Sequence, residues 1–344
     1  MHLENVGQLD AGQVSAVTNL VRRAEAVDHV APLSEQVLLA TRDSSRTDAA
    51  NGPVHFLAYD GTHLAGYAHL ERGLATEAAR DESDATIEGT VGASSTGSVA
   101  AATAEVVVDP ADRRHGVASE LIRAMRDALW PRADNLRIWS HGHLDGARAL
   151  ASRGGYLIVR ELWSMHRPLL PDDGSLPPVT LPDGFAARDF VVGQDEDAWL
   201  RVNARAFANH AEQGRMTRHD LDLRIAEPWF DPTGFILIED TGDALPVLAA
   251  SHWTKIIPPT RPRARSKRGE VYVVGVDPAY QGLGLGRAAT LLGLEHLREC
   301  GVTEAMLYVD ADNLAAIATY SRLGFTRFAV DVMYSPVAQP LVPR

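Results

Sequence analysis

Short runs of alternating apolar and polar residues, broken by Gly, Pro, Asn and Asp, recur along the chain and predict strands. Val54–Tyr59 is answered across the turn at Asp60-Gly61 by Leu64–Leu70, a hairpin. Gly234–Glu239 and Val247–Thr254 make a second hairpin. Val271–Val276, Ala305–Val309 and Phe325–Tyr334 are further strands. Helical periodicity marks 13–28, 194–208, Arg287–Cys300 and Asn313–Arg322. Strands thus alternate with helices in both halves, and the fold class is α/β with a mixed sheet in each of two domains.

One phrase occurs twice. Val106-Val107-Val108-Asp109-Pro110-Ala111 returns 168 residues later as Val274-Gly275-Val276-Asp277-Pro278-Ala279. Each copy is an apolar strand, an Asp-Pro-Ala turn and the start of a helix. A second pair, Ser152-Arg153-Gly154-Gly155-Tyr156 and Ser321-Arg322-Leu323-Gly324-Phe325, recurs at an offset of 169. Two ordered matches at nearly one offset imply a duplicated domain. The predicted division is 1–167 and 183–344. The proline-rich linker Pro168–Pro182 joins them, because its prolines resist both helix and central strand. Residues 71–103 turn to Ala, Gly, Ser, Thr and acidic residues, which bury too little to offset ordering, and are expected to be a mobile insertion.

The 344 residues suit two ordinary domains, and 45% hydrophobic residues suffice for a core in each. A net charge of −12 argues against nucleic acid as a partner, since phosphate neutralisation needs a basic face. A single cysteine, Cys300, excludes an internal disulfide and reads as a structural thiol at a helix end. With neither a secretory leader nor a long apolar span in view, a cytoplasmic, monomeric protein away from membranes is expected. His141, His143 and Asp145 lack a complementary ligand set, so no metal is expected. The basic run Arg261–Arg268 reads as a solvated hairpin tip.

The chemistry sits after the second Asp-Pro. Gln281, Gly284 and Gly286 form a Q-x-x-G-x-G turn between strand and helix. Glycines there let backbone N–H groups point inward, and the helix N-terminus adds donors and a positive dipole end, which together suit a phosphate or pyrophosphate. Arg287 can add charge.

This stretch resembles the acetyl-CoA motif of the GCN5-related N-acetyltransferases, and Asn313 and Ala315 through Tyr320 to Gly324-Phe325 resembles their closing helix motif. The tandem arrangement, with His252-Trp253-Thr254-Lys255 and Gly269-Glu270-Val271-Tyr272, is similar to the branch that completes mycothiol, an actinobacterial thiol. That branch acetylates the cysteinyl α-amine of a cysteinyl glucosaminyl inositol. The resemblance implies acetyl-CoA as co-substrate and a small-molecule amine as acceptor. It places the pantetheine on Val274, Gly275 and Val276. The pyrophosphate falls to Gln281, Gly282, Leu283, Gly284, Leu285, Gly286 and Arg287. The thioester and CoA tail fall to Asn313, Leu314, Ala315, Ala316, Ile317 and Ala318. Glu270 becomes the general base, Tyr320 the general acid, and Glu35, Glu212, Lys255, Glu270 and Tyr308 the acceptor contacts.

The first copy keeps a cradle in Val106, Val107, Val108, Arg114, His115, Gly116, Val117, Ala118 and Ser119. Arg113 replaces the Gln, and at constant offset Ala102 takes the place of Glu270, Ser140 that of Tyr308, and Ala151 or Ser152 that of Tyr320. The first domain is therefore expected to bind CoA without catalysing. The same chemistry on an aminoglycoside or a peptide N-terminus, or a non-catalytic acyl-CoA-binding regulatory module, are the alternatives.

Overall fold

The computed structural model describes residues 1–43, 52–73, 101–131, 133–170, 176–208, 211–242, 245–257 and 267–337. Residues 74–100 of the expected insertion, 258–266 of the basic loop, and Asn209 and His210 lie outside the described residues. Both ends of the insertion are regular strand, through Glu71 before it and from Ala102 after it.

The chain folds into two compact units, Met1–Glu161 with Val330–Arg344 (unit 1) and Leu162–Ala329 (unit 2). The division differs from the one drawn at the prolines. Strands β6 (Tyr156–Pro168) and β12 (Thr326–Pro336) each begin in one unit and end in the other. Pro168 closes β6 rather than opening a linker, and Leu169, Leu176 and Val179 pack into the core of unit 2. Apolar residues between the prolines override the linker composition.

In unit 1, β1 (His2–Val6), β2 (Val54–Asp60), β3 (His63–Glu71) and β4 (Ala102–Val108) pair antiparallel in that order. β5 (Leu136–Ser140) joins β4 in parallel, and the end of β12 adds antiparallel to β5. α1 (Ala11–Asp28) and α2 (Glu35–Ala40) cover one face through Val17, Leu20 and Val37. α3 (Val117–Ala128) covers the other through Leu121 and Met125. α1 starts in a capping box, Asp10 Oδ1 accepting from Gln13 N at 2.8 Å and Gln13 Oε1 from Asp10 N at 3.0 Å. α4 (Asp145–Gly154) follows β5.

Unit 2 repeats the plan. β7 (Phe185–Asp189), β8 (Phe235–Asp240), β9 (Val247–Ile257) and β10 (Arg268–Val276) are antiparallel neighbours. β11 (Glu304–Asp310) is parallel to β10 and antiparallel to the end of β6. α5 (Glu196–Ala206), α6 (Ala211–Gly214) and α7 (Arg218–Ile225) lie on the face of Trp199, Trp253 and Phe235. α8 (Leu285–Glu299) and α9 (Leu314–Arg322) lie on that of Leu291, Leu294 and Leu307. Cys300 caps α8, its Sγ 3.6 Å from His296 Nε2, and burial raises its thiol pKa, which suits a structural thiol. Among the described residues no helix is long and apolar enough to cross a membrane.

Two histidines, one in each unit, are held in opposite charge states. His252 on β9 is fully buried and donates from Nδ1 to Ala289 O at 2.7 Å. Burial keeps the ring neutral by lowering its pKa to about 4. A Cβ at Gly293 would overlap that ring, so α8 lies on the sheet only because residue 293 has no side chain. His141 in unit 1 is the opposite case. It lies between Asp331, 2.9 Å from Nδ1, and Glu105, 3.3 Å from Nε2. Burial works against charge there, but the hydrogen bonds and charges of Asp331 and Glu105 outweigh it and hold the pKa at about 10. Glu105 in turn accepts from Ser34 N, the N-cap of α2, at 2.6 Å.

Gly293→Ala is expected to destabilise unit 2 by about 2 kcal/mol, because overpacking a core outweighs the gain in helix propensity. Urea unfolding measures it, and an unchanged midpoint would mean that β9 and α8 are not in contact here. His141 has a folded pKa raised above its unfolded value of 6.5, so its contribution is complete below pH 6.5 and is lost as pH rises through about 10. His141→Gln is expected to cost about 3 kcal/mol near neutral pH, as removal of one member of a buried charged cluster does. The deficit against the unaltered chain should close as pH passes 10. A deficit constant from pH 6 to 10.5 would mean the ring is neutral.

Candidate active site

The site in unit 2 is made by two parallel strands that stop pairing. β10 and β11 are in register from Arg268↔Glu304 to Val271↔Leu307, and there the pairing ends, although both strands run on to Val276 and Asp310. Across the same stretch β10 stays paired to β9, with Val274 opposite His252 and Val276 opposite Ala250. Val273–Val276 therefore has one backbone edge in the sheet and the other turned from β11. An extended amide chain can add along such an edge as a strand does.

A bulge sets what faces where. The β9 register skips Tyr272, passing from Val271↔Thr254 to Val273↔Trp253. Val271 packs on Leu291 and Leu294 of α8, whereas Tyr272 and Val273 both join the Trp199–Trp253 cluster, and Val274 and Val276 return to the α8 side. Glu270 pairs with Lys255 on one side and Met306 on the other. Ala305, Leu307 and Val309 point into the α8 and α9 core, so Met306 and Tyr308 lie on the opposite face, with Glu270 and Lys255. Three of the expected acceptor contacts, Lys255, Glu270 and Tyr308, thus share one face of three adjacent strands.

At the end of β10 the Asp-Pro turn is fixed in place. Asp277 N donates to Ala249 O at 2.9 Å, its Oδ1 accepts from Ala279 N at 2.9 Å, and Arg205 Nη2 lies 3.0 Å from the same oxygen. The chain then enters α8 through Gly284, whose φ of +83° places it in the left-handed region and which supplies no side-chain cap. The first turn of α8 carries no acidic residue, and Arg287 is exposed beside it. Orphan N–H donors, the dipole end and a cation converge where the sequence put a pyrophosphate.

α9 begins at Asn313, whose Oδ1 accepts from Ala316 N at 3.1 Å. Leu314 and Ala315 are exposed, whereas Ala316, Ile317 and Tyr320 pack on the core. Tyr320 stacks edge-on to Phe325 at 5.9 Å, and burial pushes its hydroxyl up to about 12. The hydroxyl therefore stays protonated throughout the neutral range.

Glu212 lies in α6, its side chain outside the described residues. That short helix is held by a reciprocal amide clamp: Asn203 Nδ2 donates to Gln213 O at 2.8 Å, and Gln213 Nε2 to Asn203 Oδ1 at 3.2 Å. Glu35 opens α2 in unit 1. The sequence reading missed Trp229 and Tyr272. Lys255 Nζ stands 4.6 Å from the centre of the first ring and 5.2 Å from that of the second. Single aromatics have no spacing signature: Tyr272 lies within the Gly269–Tyr272 stretch without a mark of its own, and Trp229 lies outside every motif.

Unit 1 repeats the cradle and not the acid. β4 and β5 pair from Ala102↔Leu136 to Glu105↔Trp139 and then separate, and α3 starts at Gly116, φ +89°, again without a side-chain cap. Val106, Val107, Val108, Arg114, Gly116, Val117, Ala118 and Ser119 line a cavity of about 880 Å³. Arg113 is held bidentately by Asp28, at 2.7 and 2.6 Å, which leaves Arg114, exposed at φ +69°, as the cation of the turn. His115 is exposed between them and the helix. β4 has no bulge, and this corrects the constant-offset comparison. Ala102 and Ala104 face α3, so the residue placed like Glu270, on the other face and opposite the counterpart of Lys255, is Thr103, paired with Glu71.

His141 is committed to Glu105 and Asp331 rather than to His143 and Asp145. His63, Asp109 and Asp112 do converge, but Asp109 Oδ2 already lies 2.6 Å from Arg23 Nε and its Oδ1 accepts from Ala111 N. A carboxylate so neutralised is a poor ligand for a cation.

Residues 203–325 match the family described as Acetyltransferase (GNAT) family. The mycothiol acetyltransferase of Kytococcus sedentarius is 47% identical over 322 residues, 93% of each chain. That of Thermomonospora curvata is 47% identical over 323 residues, 94% of this chain and 93% of its own. A tandem GNAT protein from the clavulanic acid biosynthesis pathway superposes with a TM-score of 0.65 at 19% identity, covering 98% of this chain and 99% of its own. A GCN5-related N-acetyltransferase from Sphaerobacter thermophilus gives 0.60 at 21%, covering 98% and 96%. Both share the fold. Splayed strands, uncapped helix N-terminus and full-length identity agree, and the chain belongs to the mycothiol acetyltransferase family, tandem N-acetyltransferases of the GNAT superfamily that use acetyl-CoA.

Proposed function

We propose that unit 2 acetylates the cysteinyl α-amine of a cysteinyl glucosaminyl inositol, the step that completes mycothiol. The observation that carries the reading is the single face on which Glu270, Lys255 and Tyr308 meet, directly beside the open edge of β10. Bound there, acetyl-CoA supplies an activated acyl group. Val274, Gly275 and Val276 hold its pantetheine along the strand edge. Gln281, Gly282, Leu283, Gly284, Leu285, Gly286 and Arg287 hold its pyrophosphate, and Asn313 to Ala318 flank its tail. The N–H of Val276 polarises the carbonyl as charge develops on its oxygen.

Glu270 takes the proton of the attacking amine, directly or through one water. Nitrogen attacks the carbonyl carbon, the C–S bond breaks, and Tyr320 gives its proton to the departing sulfur. A hydroxyl held neutral by burial suits that role. Lys255 and Tyr308 offer donors to the hydroxyl-rich acceptor, and Glu212 offers a carboxylate to its amine. In unit 1, Thr103 stands where Glu270 stands and Ala151 where Tyr320 stands, so that unit holds acyl-CoA without turning it over.

Incubation with acetyl-CoA and a panel of the cysteinyl glucosaminyl inositol, its parts, an aminoglycoside and a short peptide should give a +acetyl mass only on the first, on nitrogen. Transfer only to another amine would discard this acceptor, and none at all would leave an acyl-CoA-binding module. Glu270→Gln is expected to lower kcat/KM by about 10²–10⁴-fold, as loss of general-base catalysis does, and to remove the acid limb of the pH–rate profile. Full turnover at neutral pH would remove Glu270 from the mechanism.

A further inference from the structure

The geometry points to Trp229 and Tyr272 as positioning residues that hold the Lys255 ammonium on the face of Glu270, and so set how the acceptor amine is presented. The inference rests on Lys255 being an acceptor contact.

Three observations meet at this lysine. Its ammonium lies over two ring faces at once, within the distance at which the ring quadrupole attracts a cation. The rings themselves are locked. Trp229 and Tyr272 meet edge to face at 5.1 Å, Trp229 packs against the fully buried Trp253 at 5.7 Å, and the Tyr272 hydroxyl accepts from Arg224 Nε at 2.7 Å. Arg224 is buried and anchored in α7, Nη1 donating to Asp220 O at 2.8 Å. Finally, Tyr272 is the residue that the β10 bulge inserts. Without the bulge, Tyr272 would be paired and the alternation unbroken, as in β4.

A lysine carries four rotatable bonds, and ordering it costs side-chain entropy. Two fixed ring faces meet that cost before the acceptor arrives. The rings attract the charge through their faces, a contact that itself occupies none of the ammonium's N–H donors. The same face in unit 1 has Glu71 where unit 2 has Lys255, and β4 has no bulge residue to match Tyr272.

The test is a double-mutant cycle on the full chain. Trp229→Leu should raise the KM for the cysteinyl glucosaminyl inositol about 10-fold with the KM for acetyl-CoA unmoved, and Trp229→Phe, which keeps a ring face, should recover most of it. In a Lys255→Met background, Trp229→Leu should add less than 2-fold. Tyr272→Phe keeps the ring and loses the hydroxyl that Arg224 holds, and serves if the leucine variant does not fold; it should raise the acceptor KM about 3-fold, again only when Lys255 is present. An equal effect with and without Lys255 would overturn the inference. If Lys255→Met alone leaves the acceptor KM unchanged, the assignment of Lys255 as an acceptor contact fails instead, and the inference with it.

Discussion

Everything in this fold follows from two parallel strands that part in the middle of a sheet. Strand pairing satisfies backbone groups, and a sheet interrupted at its centre leaves donors and acceptors that must find another partner. In unit 2 the interruption begins after Val271↔Leu307, in unit 1 after Glu105↔Trp139. Each is followed by an Asp-Pro turn and a helix entered through a left-handed glycine, which carries the unsatisfied character from strand edge to helix end. A long ligand with amides at one end and phosphates at the other fits that run of donors. Cores around Leu121 and Met125 and around Leu291 and Leu294 lie beneath the two strands.

In the splayed strand itself the two units differ by one inserted residue. The Tyr272 bulge turns two consecutive side chains of β10 to the aromatic face, and Glu270 is brought level with Lys255. β4, unbulged, alternates without interruption and spends its buried carboxylate, Glu105, on His141 and the N-cap of α2.

Much of this was legible in the sequence, because it is written in local signals. The Asp-Pro-Ala turns, the glycines before α8 and the hairpin partners β2/β3 and β8/β9 all have short-range signatures. The exchange of β6 and β12 between units did not show, since a strand's apolar pattern says nothing about which sheet receives it. Nor did the bulge, which a constant offset between copies conceals and which moved the counterpart of Glu270 from Ala102 to Thr103. Pro168–Pro182 misled by composition, for a few leucines and a valine among prolines were enough to bind it to a core. Trp229 was invisible because it lies outside every motif, and its importance comes from Lys255, far from it in the chain.

Synthesis of the chain runs in one direction, and unit 1 is not contiguous. The partner that neutralises His141, Asp331, lies on the last strand, and Val332 to Tyr334 are the residues that pair with β5. When the ribosome has finished Glu161, the first sheet lacks its final strand and its buried imidazolium lacks one of two carboxylates. Unit 1 therefore reaches its native state only after nearly all of unit 2 has been made, so the half that is translated first is the half completed last.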